Sequence, residues 1–359
     1  MKRVYKSIIF LVGLFLIYSC KKEDTIDIKS SEAEIIAFAI VEHTAAIDIQ
    51  DNERSIYIEF APDVTAAEDL TFEFILSEGA TAEINSMQLV SGVSIQDFEA
   101  PFNIDVRAED GITIKSWTII PSNGIIDPEW GLGRFQKQSV SNNRDYEWYY
   151  DQVSTGTYAN VNCGPTSTTM AAKWSNQTFS LTPEDARDAY RPEGGWWYTG
   201  DIDNYLSDNN INHYFIALSS KIDWTANILK ENIDDGYIAI LCLDMYYVRK
   251  SGSYVEHVDK FYTTSAPDWG HFIVIKGYKN VDNQYFFEVY DPYSYDRQYP
   301  DGALKGKDRY YRASDLFDAT SIWWNNAIIV TPSETKSIPA NALDPATIKH
   351  AWGRGVLNY

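Results

Sequence analysis

Apolar and polar residues tend to alternate through residues 30–122, the period of strands with one face buried. Ile35 to Ile40, Ser55 to Phe60, Thr71 to Leu76 and Ile112 to Ile120 carry the pattern, broken at short intervals by Gly, Pro, Asn and Asp. No helical period interrupts them. Short strands at such spacing predict a small antiparallel sandwich, and Asp110-Gly111 suits a hairpin turn.

The pattern changes after Pro121-Ser122-Asn123-Gly124. Helical spacing marks Gly164 to Trp174, Thr182 to Tyr190, Asp201 to Asn209, Trp224 to Asp234 and Ala313 to Phe317. Nearly continuous apolar runs mark buried strands at Tyr237 to Leu243, His271 to Tyr278, Tyr285 to Tyr290 and Ala327 to Val330, and His213 opens a further possible strand. Helices come first and an antiparallel sheet follows. The fold class expected is therefore α+β, preceded by an all-β module. The expected organisation is a leader over 1–20, a tether over 21–29, the sandwich over 30–122, the α+β domain over 123–335 and a tail over 336–359.

The leader has a basic start, Met1 to Lys6, and an apolar stretch, Ser7 to Tyr18, too short to span a membrane comfortably. It ends Ile17-Tyr18-Ser19-Cys20, which resembles a bacterial lipobox, with Cys20 as the lipidated residue. This predicts an exported protein, lipid-anchored in the outer membrane or at the surface of a Gram-negative bacterium. Loss of Lys2, Arg3 and Lys6 leaves 27 basic residues against 51 acidic ones, a net charge of −24. That balance argues against a nucleic-acid partner, whose phosphates require a basic footprint. With Cys20 lipidated, Cys163 and Cys242 remain. Cys242 lies inside a buried strand and is expected in the core, which leaves Cys163 free.

Cys163 stands before Gly164-Pro165 and the first predicted helix of the domain. The positive end of a helix dipole favours a thiolate, and proline in a first turn costs no hydrogen bond. Thiol hydrolysis also needs an imidazole, a group to orient it and an oxyanion donor. Among the five histidines, His43 belongs to the sandwich, His350 to the tail, His257 to a polar loop, and His213 to the possible strand. His271 instead opens a buried strand, and Asp291 closes the next one. A hairpin between those strands brings the two side chains together. Gln152, upstream of Cys163, is the candidate oxyanion donor.

The set Gln152, Cys163-Gly164-Pro165-Thr166-Ser167, Gly270-His271 and Asp291-Pro292 resembles the papain-like cysteine peptidases of the bacteriocin-leader-peptidase-like, or double-glycine peptidase-like, family. Gly194-Gly195-Trp196-Trp197 with Asp201 and Leu206, and Ala313-Ser314-Asp315-Leu316 before Trp323-Trp324, extend the resemblance from roughly Trp130 to Thr331. It implies Cys163 as nucleophile, His271 as general base and acid, Asp291 as orienting residue and Gln152 in the oxyanion hole. A peptide or protein substrate is implied, with no cofactor and no metal. Two departures stand out. No transporter is attached, so leader trimming is not carried over, and the Gln152–Cys163 gap is longer than in compact members. Asp97 through Val106 and Ala108 to Gly111 resemble the N-terminal immunoglobulin-like domains of Bacteroidetes lipoproteins. Asp201 and Asp203, or Asp291 and Asp296, lack EF-hand spacing, and solvated acids are the expectation. The alternative is a surface binding protein holding peptide or glycan in an inactive peptidase-like domain, with Trp196, Trp197, Trp323 and Trp324 lining a groove.

Overall fold

A computed structural model describes residues 29–125, 130–218, 222–335, 338–340, 342–352 and 355–356. The leader and all but the last residue of the tether lie outside them, as does part of the tail. The N-terminal region is two sheets. Strands β1 (Ile35–Ile40), β4 (Leu70–Leu76) and β7 (Ile95–Gln96) form one. The other runs in the order β2 (Ala45–Gln50), β3 (Ser55–Phe60), β9 (Ile114–Ser122), β8 (Phe102–Arg107), β5 (Thr81–Ile84) and β6 (Met87–Gln88). One pairing departs from the expected antiparallel pattern: β3 and β9 run parallel. Their connection passes through the other strands, so they need no direct hairpin. Phe38, Ile58, Phe72, Phe98 and Trp117 fill the space between the sheets.

Phe135 also packs in that core, although it follows the strands of the sandwich. Asn123 fixes the junction: its Nδ2 donates to Gln136 O at 2.8 Å, and its Oδ1 accepts from Gln136 N at 3.1 Å.

The second region is α+β. Its elements in order are β10 (Gln136–Ser141), α1 (Cys163–Ser175), α2 (Pro183–Ala189), α3 (Thr199–Asp208), β11 (His213–Ala217), α4 (Ile222–Asp234), β12 (Ile238–Asp244), β13 (Gly270–Val281), β14 (Gln284–Tyr290), β15 (Arg309–Arg312), α5 (Ala313–Trp323) and β16 (Asn326–Val330). The sheet order is β11-β16-β12-β13-β14-β15, with β10 added against β13, and every pairing is antiparallel. Helices and strands are interleaved rather than sequential. Helix α5 also runs to Trp323, past the expected end at Phe317.

Strand periodicity divides the core. Ile238, Ile240 and Cys242 face α1 and α3, while Ala239, Leu241 and Leu243 face α4 and α5. Helix α1 therefore lies inside the domain, with all of its residues buried except Lys173. Its small polar side chains are satisfied locally: Thr166 Oγ1 donates to Asn162 O at 2.6 Å, and Ser167 Oγ to Phe272 O at 3.0 Å. Gly164 is required by close approach, since a Cβ there would meet Trp197 Cβ at 2.6 Å. Helix α2 starts on a capping box, with the Thr182 hydroxyl and the Asp185 carboxylate each satisfying the other's backbone N–H.

Candidate active site

Cys163 is the first residue of α1, placed where the helix dipole favours negative charge. It lines a cleft of about 400 Å³ with Gln152, Asn160, Trp196, Asp268, Trp269, Gly270, His271 and Tyr293. Cys163 and Cys242 are both free thiols. Only Cys163 reaches the cleft; Cys242 sits in the sheet, where burial pushes its thiol well up.

His271 is the second residue of β13. The backbone before it is held by Asp244, a buried carboxylate that accepts from the N–H groups of Asp268 at 2.7 Å and Trp269 at 3.0 Å. Trp269 O in turn accepts from Met245 N at 2.9 Å. Gly270 has no Cβ because the Trp323 ring occupies that space. Between them these contacts fix where the imidazole emerges.

Nε2 of His271 lies 2.7 Å from Asp291 Oδ1. A carboxylate only accepts, so Nε2 donates and Nδ1 remains for Cys163. Burial alone would lower the His271 pKa. The Asp291 charge, with hydrogen bonds to Asp291 and Cys163, outweighs it and raises the value from 6.5 to about 10. The imidazolium is thereby favoured beside the sulfur.

Asp291 is fully buried, and every oxygen is used. Oδ1 also accepts from Tyr293 N at 2.9 Å; Oδ2 accepts from the hydroxyls of Tyr262 at 2.9 Å and Tyr311 at 2.6 Å. Burial pushes its pKa up, but the His271 charge and these donors hold it below the ordinary value. Its backbone is fixed as well, since Tyr149 Oη donates to Asp291 O at 2.8 Å.

Gln152 is buried at the same cleft. Its N–H donates to Pro292 O at 2.8 Å, tying it to the segment that follows Asp291. Asp151 strengthens that tie by accepting from the N–H groups of Ser294, Tyr295 and Asp296. Gln152 Nε2 donates to Ala159 O at 3.0 Å, which leaves its second amide hydrogen available.

Three of the four candidates from the sequence, Gln152, Cys163 and His271, thus border one cleft, and Asp291 lies buried behind His271. The other histidines do not border it. His213 pairs with Asp203, His257 stacks between Trp130 and Tyr299, His350 contacts Thr199, and His43 meets Phe60 edge-on. Of the four tryptophans considered for a groove, Trp196 lines the cleft, while Trp197, Trp323 and Trp324 are buried. Trp269, which carries no sequence signal, lines it too. Tyr262, Tyr311, Asp244 and Asp151 also support the site without a sequence signal, because each acts through contacts distant along the chain. Among the described residues, no group of three His, Cys, Asp or Glu side chains is arranged to hold a metal ion. No described helix is long and apolar enough to cross a membrane.

The model of the Peptidase_C39 like family matches residues 145–316, a span that contains Gln152, Cys163, His271 and Asp291. The chain carries a Peptidase_C39-like domain. That match suggests a cysteine peptidase. No curated protein matches the chain. Among solved structures, a candidate secreted protein from Bacteroides fragilis is 18% identical, over 25% of this chain and 94% of that one, with a TM-score of 0.22. A candidate glycoside hydrolase from Bacteroides thetaiotaomicron is 12% identical, over 85% of this chain and 90% of that one, with a TM-score of 0.24. Likenesses this slight carry no information about what the Peptidase_C39-like domain does.

Proposed function

We propose that this protein is a cell-envelope or surface-anchored cysteine peptidase that hydrolyses a peptide or amide bond through Cys163, His271 and Asp291. The observation that carries this reading is the buried 2.7 Å His271–Asp291 contact in the cleft that Cys163 lines. The Cys163 thiolate attacks the substrate carbonyl carbon, and the carbonyl π pair moves to oxygen. The Gln152 amide and the Cys163 backbone N–H receive that oxyanion. As the intermediate collapses, the C–N bond breaks and the amine leaves with the proton from His271 Nδ1. A thioester remains. His271, now neutral, takes a proton from water as the water attacks the thioester. Collapse expels the thiolate, releases the carboxylic acid and restores the imidazolium. Asp291 holds the ring throughout.

Trp196 and Trp269 are 42% and 37% exposed, and both line this cleft. Their indoles favour substrates with bulky apolar side chains near the scissile bond. The same surfaces support the second reading, a surface lipoprotein that holds peptide or glycan without cleaving it. The anchor on Cys20 and the export route rest on the leader sequence.

Incubation with a mixed peptide library, followed by mass spectrometry of new termini, separates the two. New termini are expected from the wild type and none from Cys163→Ala. Binding without cleavage by the wild type would replace the peptidase reading with the second one.

A further inference from the structure

We propose that Arg187 is a positioning residue for the nucleophile: a buried guanidinium without a carboxylate partner among the described residues, whose fixed positive charge holds the Cys163 sulfur as thiolate. The inference rests on the reading of Cys163 as nucleophile. Arg187 lies on α2 and is 3% exposed. Its Nε donates to Asn162 Oδ1 at 2.8 Å, its Nη2 to Val161 O at 3.2 Å and its Nη1 to Arg191 O at 3.3 Å. All three acceptors are neutral. Two of them belong to the residues immediately before Cys163.

Asn162 is held in turn, since its Nδ2 donates to Thr155 O at 2.9 Å. Neutral donors could satisfy these oxygens. A guanidinium brings a charge it cannot shed, and burying that charge is costly unless an anion compensates it. Asp201 is committed to Arg191 at 2.7 Å and to Tyr198 N. Among the described residues, the sulfur at the start of α1 is the further group beside Arg187 able to carry negative charge, apart from the weakly acidic Tyr158 phenol. Burial disfavours the Arg187 charge, and the largest opposing contribution comes from Cys163.

The groups around the pair are few. Cys163 is faced by His271 from β13, with Asp291 behind it, by the buried Cys242 thiol of β12, and by Arg187. Arg187 is faced by Arg191, Asp201 and the Tyr158 ring, 5.9 Å from its guanidinium carbon. His271 and Arg187 thus present positive charge to the sulfur from different elements. Only the first was legible in the sequence.

The test is the pH dependence of carboxamidomethylation by iodoacetamide in wild type, Arg187→Met and Arg187→Lys, with labelled residues identified by peptide mapping. For Arg187→Met, the alkylation midpoint is expected to rise by about one pH unit, making labelling about tenfold slower on the acid side. Arg187→Lys keeps the charge and is expected to stay within about threefold of wild type. An unchanged profile in Arg187→Met overturns the proposal. So does an equal loss in both variants, which would assign the effect to hydrogen bonding rather than charge. If wild-type Cys163 resists labelling altogether, the nucleophile reading falls and takes this one with it; a labelled wild type with an unmoved Arg187→Met profile defeats this one alone. Should Arg187→Met fail to fold, wild type in about 0.05 M and about 1 M NaCl replaces it. A buried counter-charge is poorly screened, so the midpoint should hold, whereas a shift of about half a unit or more would assign the effect to exposed charges and overturn the proposal.

Discussion

The two regions of the molecule bury different chemistry. In the sandwich, the buried polar groups among the described residues up to Ser122 are Ser55, Ser77 and Glu99, set in a core of Phe, Ile, Val and Trp. The Peptidase_C39-like domain buries Arg187, Asp244, His271, Lys276, Asp291 and Arg309. An apolar core stabilises by area removed from water and tolerates small displacements. A buried charge is costly unless its partners are placed within tenths of an ångström. The sandwich thus holds an almost wholly apolar interior, whereas the domain holds charged side chains inside, His271 of the cleft and Asp291 behind it among them.

Asp291→Asn should have the largest effect on the domain. Without the carboxylate charge, the imidazolium loses its main support, and hydrolysis is expected to fall by about 100-fold or more. The sign for pH follows from the raised His271 value. Stability from the pair is fully present below about pH 6.5 and lost as pH rises through about 10. In Asp291→Asn the alkaline limb of activity should retreat toward 6.5, and pH-dependent unfolding over that window should flatten. A limb that stays in place would separate Asp291 from the titration of His271.

Trp117→Ala tests the other region. Trp117 is fully buried between the sheets, and its truncation should cost about 3–5 kcal/mol, read by chemical denaturation. Cys163 alkylation in the remaining folded protein should be unchanged. A slowed rate there would show that the regions are coupled, and Phe135 and Asn123 would be the first contacts to probe.

The smallest effect is expected for Tyr311→Phe, which removes one donor from Asp291 Oδ2 and leaves the Tyr262 hydroxyl. A hydrogen bond to a charged group contributes about 1.5–3 kcal/mol. About a tenfold loss of hydrolysis is expected, with a displaced pH profile. A loss of stability with an unmoved profile would make the tyrosine structural only.

Much of this architecture was legible because the signals were local. Strands β12, β13 and β14 are apolar on both faces, so their position hardly depends on context. Cys163 before Gly-Pro and His271 at a strand start were equally visible. Strand β10 was not, because Gln136 to Ser141 holds one strong apolar residue, Val140, and becomes a strand only by pairing with β13. Strand β15 hides between Arg309 and Arg312. Its buried Arg309 is satisfied by Asp259 O at 2.8 Å, a contact 50 residues away. Tyr262 and Tyr311 are two of 25 tyrosines, and only the folded chain shows that they meet Asp291. Arg187 carries no sequence signal, because its burial depends on how α2 packs.

The proposed peptidase depends on activation of Cys163 by His271. The most direct measurement is the rate of iodoacetamide labelling at Cys163 near neutral pH, mapped by mass spectrometry, in wild type and His271→Ala. Wild-type Cys163 should label rapidly while Cys242 stays unlabelled until denaturation, and His271→Ala should slow Cys163 by at least about tenfold. Equal rates in the two proteins, or labelling of Cys163 only after denaturation, would contradict the account.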